Sequence, residues 1–230
     1  MSVNFIEKVH EICDIWSFRF EQPVPTSWIS GQYLRLELPV LTENKHDREH
    51  WFTISSTSTE GYIQITTRVS SSSFKQSLDN LKPGDPVIID SIDGDFIWQD
   101  SDKETVYIAG GIGITPFRSI LADRNYKKLP LNLHLIYAGR DDSFAFKDEF
   151  DAIQANNPGF MVSYISGKQL TAELLLETES ELLKKVIYIS GPEPMVEALG
   201  VSLKEAGLPD SSLKQDWFPG YEVDSYFQAN

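Results

Sequence analysis

The chain has 230 residues and carries 20 Lys and Arg against 34 Asp and Glu, a formal charge of −14, which argues against affinity for nucleic-acid backbones or anionic membrane surfaces. Hydrophobic residues at 41% and charged residues at 23% are ordinary for a soluble globular protein, and the length suits one large domain or two small ones. One cysteine, Cys13, excludes a disulfide framework, a zinc ribbon or an internally ligated iron–sulfur cluster, each of which needs several thiolates.

The amino-terminal segment places Glu7, Lys8 and Glu11 where a secretory signal needs an apolar run, and no stretch approaches the roughly eighteen apolar residues of a membrane helix. A cytoplasmic protein is expected. Short segments rich in β-branched and aromatic residues then follow at Phe5 to Ile12, Gln32 to Leu38, Trp51 to Ser56, Tyr62 to Val69 and Pro86 to Ile89. Turns such as Lys82-Pro83-Gly84-Asp85 separate them, and a helix is predicted at Phe74 to Leu81. Strands at this spacing predict a small antiparallel barrel or sandwich. Cys13 falls in this strand region and reads as a small buried hydrophobe.

After Asp100 the rhythm changes. Strands at Val106 to Ala109, Leu133 to Tyr137, Phe160 to Ile165 and Val186 to Ile189 alternate with helices from Pro116, at Lys147 to Ala155, at Thr171 to Lys184 and at Pro194 to Ala206. An extended piece runs from Leu213 to Phe218. Continuous apolar strands alternating with helices predict a parallel sheet covered on both faces. The predicted organisation is an antiparallel β domain over 1–101 followed by an α/β domain over 102–230.

The sharpest local pattern is Ala109-Gly110-Gly111-Ile112-Gly113-Ile114-Thr115-Pro116, which follows a strand and opens a helix. Thr115 suits a helix cap and Pro116 the first helical position, where no amide hydrogen is needed. Three glycines let the backbone approach a ligand, and exposed amides at a helix start favour a pyrophosphate. Tight strand–helix packing would ask for the same glycines. A second loop, Ser190-Gly191-Pro192-Glu193-Pro194-Met195, also lies between a strand and a helix; the two together favour a shared nucleotide crevice. Ser70 to Ser73 with Phe74 and Lys75 reads either as a solvated loop or as hydroxyls and a cation that hold phosphate. His10, His46 and His134 have no partners at metal-ligand spacing, so no metal is expected.

Taken in order, His50-Trp51-Phe52-Thr53, Gly84-Asp85 with Gly94-Asp95-Phe96, Gly110 to Pro116, Ser190 to Met195 and Asp216 to Tyr221 resemble the motif series of the ferredoxin–NADP reductase superfamily. That resemblance implies an N-terminal antiparallel flavin-binding β-barrel and a C-terminal parallel-sheet nucleotide-binding domain. It implies that His50, Trp51 and Phe52 border the flavin, that Thr53 lies near its reactive N5, and that Thr66, Thr67, Arg68, Ser73, Phe74 and Lys75 line its ribityl and pyrophosphate channel. Gly110, Gly111, Gly113, Thr115 and Pro116 would receive the dinucleotide. Gly191, Pro192 and Met195 would border the nicotinamide, with Ser190 beside it, while Asp216 and Phe218 would close the site. Thr53, Ser190 and Asp216 are the implied catalytic residues. FAD rather than FMN is implied by the Ser73-Phe74-Lys75 segment; Arg140 and Lys168 are the candidates for a 2′-phosphate, favouring NADPH while leaving NADH open.

Three positions depart from the family pattern. His50 stands for an arginine, trading a permanent bidentate phosphate fork for a group that titrates near neutrality. Flavin affinity should then weaken with rising pH unless Arg68 and Lys75 carry the charge. Ser190 stands for a cysteine, and Asp216 shortens a glutamate by one methylene. The implied activity is hydride transfer from NAD(P)H to bound FAD and onward electron transfer to an acceptor. At −14 an acidic protein such as a ferredoxin would be repelled, so a quinone, a free flavin, a small dye or a less acidic protein fits as well. An electron-transfer component working only in a complex and a non-catalytic nucleotide-binding protein are the alternatives.

Overall fold

The computed structural model describes residues 1–38 and 48–218, with Phe218 described by its backbone alone. Its internal contacts separate two compact units: Met1–Trp98 with Thr115–Lys127, and Gln99–Ile114 with the described residues from Lys128 onward.

The first unit is an antiparallel sheet of six strands: β1 (Ser2–Ile12), β2 (Ile15–Glu21), β3 (Tyr33–Glu37), β4 (Glu49–Thr53), β5 (Tyr62–Arg68) and β6 (Pro86–Asp93), in the order β4-β3-β6-β1-β2-β5. β1 is long enough to serve two partners. Ser2 to Asn4 pair with β6, and Phe5 to Ile12 pair with β2 across two register shifts. Such irregularities bend a strand, and bending is what lets a sheet curl. The two ends of the sheet meet through an antiparallel bridge between Ile54 and Ile65. Inside lie Phe5, Phe18, Phe20, Leu34, Leu36, Ile63, Ile65, Val87 and Ile89, all buried. Burial of each such side chain contributes about 1.5–3 kcal/mol.

Two local features differ from the sequence reading. β2 was not expected, because the chain reverses at Cys13-Asp14, between paired Ile12 and Ile15, without the glycine or asparagine that marks a tight hairpin. Cys13 adopts φ 49 and is exposed. It is a turn residue and not a buried hydrophobe, since the reversal carries its side chain off the core. The short helix α1 (Ser73–Asp79) follows; Ser72 Oγ caps it by accepting from Lys75 N at 3.3 Å.

The second unit holds a parallel sheet of β7 (Thr105–Gly110), β8 (Leu133–Gly139), β9 (Phe160–Ser166), β10 (Val186–Pro192) and β11 (Leu213–Phe218), ordered β11-β10-β7-β8-β9. From β7 the chain winds outward through β8 to β9, then returns to β10 on the other side of β7. The topological switch therefore falls between β7 and β10, where open α/β sheets form a ligand crevice. Val106, Ile108, Ile136, Ile187 and Ile189 are fully buried, as a sheet covered on both faces requires. The expected fold class is the one observed.

Helices α2 (Ile114–Tyr126), α3 (Lys147–Asn156), α4 (Ala172–Thr178) and α5 (Glu193–Glu205) complete the chain. α2 is entered through a single 3-10 turn, Gly111–Gly113, so Thr115 and Pro116 lie within its first turn instead of capping it. The helix predicted over 171–184 stops at Thr178 and is followed by a 3-10 turn at Leu182–Lys184. Glu179 between them is extended and 5% exposed, because its carboxylate is drawn into a buried polar cluster.

Candidate functional site

In the first unit β4, β5 and α1 bring most of the implied flavin residues together. His50 and Phe52 share one face of β4, since side chains two apart on a strand point the same way. The Phe52 ring lies against Phe74 of α1, with centroids 5.8 Å apart, and the His50 ring meets Phe74 edge-on at 4.3 Å. Lys75 Nζ stands 4.4 Å from the centre of the Phe52 ring and donates to Thr67 Oγ1. Among the described residues no carboxylate pairs with this ammonium. Burial pushes its pKa down to about 7, the expected response of a cation removed from water without an anion. Trp51 points the other way, 51% exposed, beside Tyr33 and Arg35. Thr53 is buried at the end of β4, paired in register with Tyr33.

The rest of the implied channel is occupied differently. Thr66 is buried on the opposite face of β5 from Thr67, and its hydroxyl bonds Ser17 Oγ at 2.7 Å and Ser55 Oγ at 2.8 Å. Arg68 holds both oxygens of Asp14, at 2.7 and 2.8 Å. Ser73 is exposed at the first position of α1. The residues at this end suit an anionic, partly aromatic ligand: one desolvated cation, one hydroxyl and a pair of stacked rings. FAD fits that set, with Lys75 and Thr67 as the pair able to meet phosphate oxygen.

A second polar cluster in this unit was not foreseen. Arg118, in α2, donates from one nitrogen to Ser55 O at 2.9 Å and Glu60 Oε2 at 2.6 Å, and from the other to Glu60 Oε1 at 2.7 Å. Glu60 also accepts from Thr57 N at 2.7 Å and Tyr62 Oη at 3.0 Å. Burial alone would raise the Glu60 carboxyl, but these donors, Arg118 foremost, outweigh it and hold the pKa below the usual value. Ser119 Oγ adds a bond to Ser56 O at 2.7 Å. The signal available in the sequence was an arginine inside the apolar stretch Ile112 to Leu121.

In the second unit, the 3-10 turn after β7 interlocks with the carboxyl end of β10 at the switch point; the loop expected from Ser190 to Met195 is instead strand to Pro192 and helix from Glu193, because proline suits the entry to a helix. A β-carbon on Gly113 would stand 2.1 Å from Ser190 O, and one on Gly110 would stand 2.4 Å from Met195 Sδ. One on Gly191 would lie 2.5 Å from Met195 Cε. These three glycines are thus needed for the two segments to pack, with the Met195 side chain against Gly110 and Gly191 and Pro192 beside Gly110. Gly111 is the one that turns the chain, at φ 54. Ser190 and Asp216 are register partners on β10 and β11, and Ser190 Oγ donates to Asp216 Oδ2 at 3.3 Å. Phe218 pairs in register with Pro192. Arg140 and Lys168 are exposed just beyond β8 and β9, where Gly167 N bonds Gly139 O at 3.0 Å and draws the two strand ends together.

His134, without a partner at metal-ligand spacing in the sequence, is buried and has a structural role. Its Nδ1 meets Glu179 Oε2 at 2.5 Å and its Nε2 meets Ser163 Oγ at 2.8 Å, while Lys185 Nζ donates to Glu179 Oε1 at 2.7 Å. His46, Pro219 to Tyr221 and residues 222–230 lie outside the described residues. Among the described residues no group of three or more His, Cys, Asp or Glu is arranged to hold a metal ion, and no helix is long and apolar enough to cross a membrane.

Comparison with known proteins adds to this geometry. The family model of the oxidoreductase NAD-binding domain matches residues 107–200. Flavohemoprotein A of Dictyostelium discoideum is 25% identical over 233 residues, covering 92% of this chain and 58% of that protein. A component of the Na(+)-translocating NADH-quinone reductase of Methylococcus capsulatus is 43% identical over 83 residues, covering 35% of this chain and 20% of that one. The chain therefore spans only part of the length of the curated relatives it matches. Among solved structures, the flavohem-like FAD/NAD binding domain of nitric oxide dioxygenase from Vibrio cholerae superposes with a TM-score of 0.78 at 21% identity. That match covers 94% of this chain and 98% of the other. At such identity it is the fold that is shared.

Proposed function

We propose that the chain is an NAD(P)H-dependent flavin oxidoreductase of the ferredoxin–NADP reductase superfamily that uses FAD, a reading supported by the NAD-binding match, the likeness to a flavohemoprotein and the shared fold. The observation that carries the reading is the interlocking of Gly110–Gly113 with Ser190–Pro192, the carboxyl end of β10, at the switch point of a parallel sheet whose residues match an oxidoreductase NAD-binding model. Held by Lys75, Thr67, His50 and Phe52, FAD would supply the chemistry, serving as acceptor of the hydride and its electron pair that NAD(P)H gives up on becoming NAD(P)⁺ and as their store until an acceptor takes them.

The chain's own part is binding and alignment. Lys75 and Thr67 meet the FAD phosphates, His50 and Phe52 flank the flavin, and the Thr53 hydroxyl lies near the reacting nitrogen. Thr66 and Arg68 are engaged with Ser17, Ser55 and Asp14, so the phosphate charge is met by Lys75. Gly111 and Thr115 receive the dinucleotide, Met195 and Pro192 border the nicotinamide, and the Ser190–Asp216 pair stands beside it. Arg140 and Lys168 meet the 2′-phosphate of NADPH. A cytoplasmic setting belongs to the same reading, since a single exposed thiol suits a reducing compartment.

A second reading makes the chain the reductase part of a larger electron-transfer assembly. What favours it is the likeness to a quinone-reductase component, a fifth of which this chain covers. Anaerobic titration of the FAD-loaded protein by NADPH, and separately by NADH, tests both. Bleaching of the flavin absorbance by one nucleotide is expected. A bound flavin that neither nucleotide reduces would leave a nucleotide-binding protein without the reductase activity.

A further inference from the structure

Arg118 sits in a stretch where every neighbour is apolar or small, yet it is 8% exposed and makes three hydrogen bonds to Ser55 and Glu60 of the β unit. Stability alone does not call for this. A buried ion pair loses hydration for both partners, and well-packed apolar residues of like volume commonly do as well or better. What an arginine fork supplies beyond attraction is direction, because its planar donors fix the relative orientation of three acceptors. Those acceptors are Ser55 O and the two Glu60 oxygens.

The latch stands between two implied cofactor residues that belong to the same compact unit. Thr53 is two residues before Ser55 on the chain, joined through Ile54, whose backbone is itself held by Gln32 O and by the bridge to Ile65. Thr115 is three residues before Arg118 on α2, one helical turn away. Ser119 Oγ on Ser56 O and the Trp28 indole on the same carbonyl, at 3.1 Å, stiffen the acceptor side. Phe117 packs on Phe96, centroids 5.6 Å apart, and the Arg124 guanidinium lies 3.7 Å from the Trp98 ring centre, which stiffens the donor side.

We propose that Arg118 is a positioning residue for flavin reduction: its bonds to Ser55 O and Glu60 hold the Thr53 end of β4 and the Thr115 turn of α2 in one fixed geometry. The inference rests on the oxidoreductase reading above. A reaction between two bound rings is steep in their separation, and a displacement near 1 Å costs on the order of a hundredfold in rate. Binding of either nucleotide, spread over many contacts, is far less sensitive.

The test is anaerobic rapid mixing of FAD-loaded wild type, Arg118→Met, Arg118→Lys and Glu60→Gln with NADH or NADPH, followed by flavin absorbance. FAD and nucleotide dissociation constants are measured separately by fluorescence. For Arg118→Met the limiting reduction rate should fall on the order of a hundredfold while both dissociation constants move less than about threefold. Arg118→Lys keeps the charge but not the fork and should recover about half of that loss on a logarithmic scale. Glu60→Gln, which keeps the volume, should fall between; if Arg118→Met does not fold, the other two carry the test. An unchanged limiting rate in variants that retain FAD overturns the proposal, as does a rate loss that only tracks lost FAD. A wild type that binds FAD and is reduced by neither nucleotide overturns the oxidoreductase reading itself, a result distinct from either.

Discussion

The α-carbon of Gly113 faces the carbonyl of Ser190 so closely that a methyl group on it would stand 2.1 Å from the oxygen. The contact ties the turn after β7 to the carboxyl end of β10, and both partners are backbone. Neither can yield without moving a strand end, whereas Gly110 and Gly191 face the flexible end of Met195.

Gly113→Ala is therefore expected to destabilise the protein by about 3 kcal/mol, the upper end for overpacking of a tight interior. Gly111→Ala, at φ 54, pays only the left-handed backbone cost of about 1–2 kcal/mol. Urea unfolding of both variants checks the order. Equal losses would mean that β10 shifts freely.

Lys75 makes a prediction about pH. Its pKa of about 7 in the free protein lies below the ordinary lysine value, so phosphate binding must recruit or retain a proton. FAD affinity should be greatest below pH 7 and fall by up to about tenfold per unit above it, until the pKa of the bound state is reached. Lys75→Gln should bind FAD more weakly at pH 6 and lose most of this slope. The groups facing Lys75 are Thr67 and the Phe52 ring, with Phe74 and His50 beyond. If His50→Gln flattens the profile instead, the histidine carries the effect. Fluorescence titration between about pH 6 and 8.5 decides, and a flat wild-type profile counts against both. For the FAD-free protein the sign reverses. The unfolded chain binds the extra proton between pH 7 and the ordinary lysine range, so stability rises with pH across that window.

Glu179 should govern the acid limb of stability. Burial raises its carboxyl, but hydrogen bonds from Lys185 and His134 outweigh that and leave the pKa below 4.5. A depressed carboxyl contributes stability that is present above its unfolded value and lost as pH falls through its folded value. Glu179→Gln should lower stability at neutral pH by about 1–3 kcal/mol and flatten the curve below pH 4.5 relative to wild type. Thermal melts from pH 7 downward would show it; parallel curves would place the acid sensitivity elsewhere.

Arg140→Ser with Lys168→Ser should raise KM for NADPH about tenfold and leave KM for NADH within about twofold, because only the former carries the 2′-phosphate that a cation pair would meet. Steady-state kinetics with the two nucleotides reads this directly. Equal effects on both would make them general surface cations.

Much of the α/β unit could be read along the chain because its strands announce themselves. Val106 to Ala109 and Val186 to Ile189 are continuous apolar runs, and runs of that kind belong to buried parallel strands. The barrel was less legible. The Cys13-Asp14 reversal uses no glycine or asparagine, so β2 carried no punctuation to separate it. The site divides the same way. The glycine loops could be found by their spacing, but whether a given glycine turns the chain, as Gly111 does, or makes room for a neighbour, as Gly113 does, depends on atoms some eighty residues distant. His134 looked unpartnered because Glu179 and Lys185 approach it only across the fold.

By itself the sequence determined the order of most elements, β2 excepted, the change from antiparallel to parallel architecture, and the glycine-bearing segments that follow β7 and end β10. Those follow from local periodicity and from backbone freedoms that glycine and proline confer within a few residues. Tertiary structure alone decided which charged groups are already satisfied. Arg68 is engaged with Asp14 and Arg118 is locked to Glu60, while Lys75 meets a hydroxyl and an aromatic ring. Hydrogen bonds and ion pairs act over a few ångströms in space with no regard for separation along the chain, so a cation available to a ligand looks the same in sequence as one already paired.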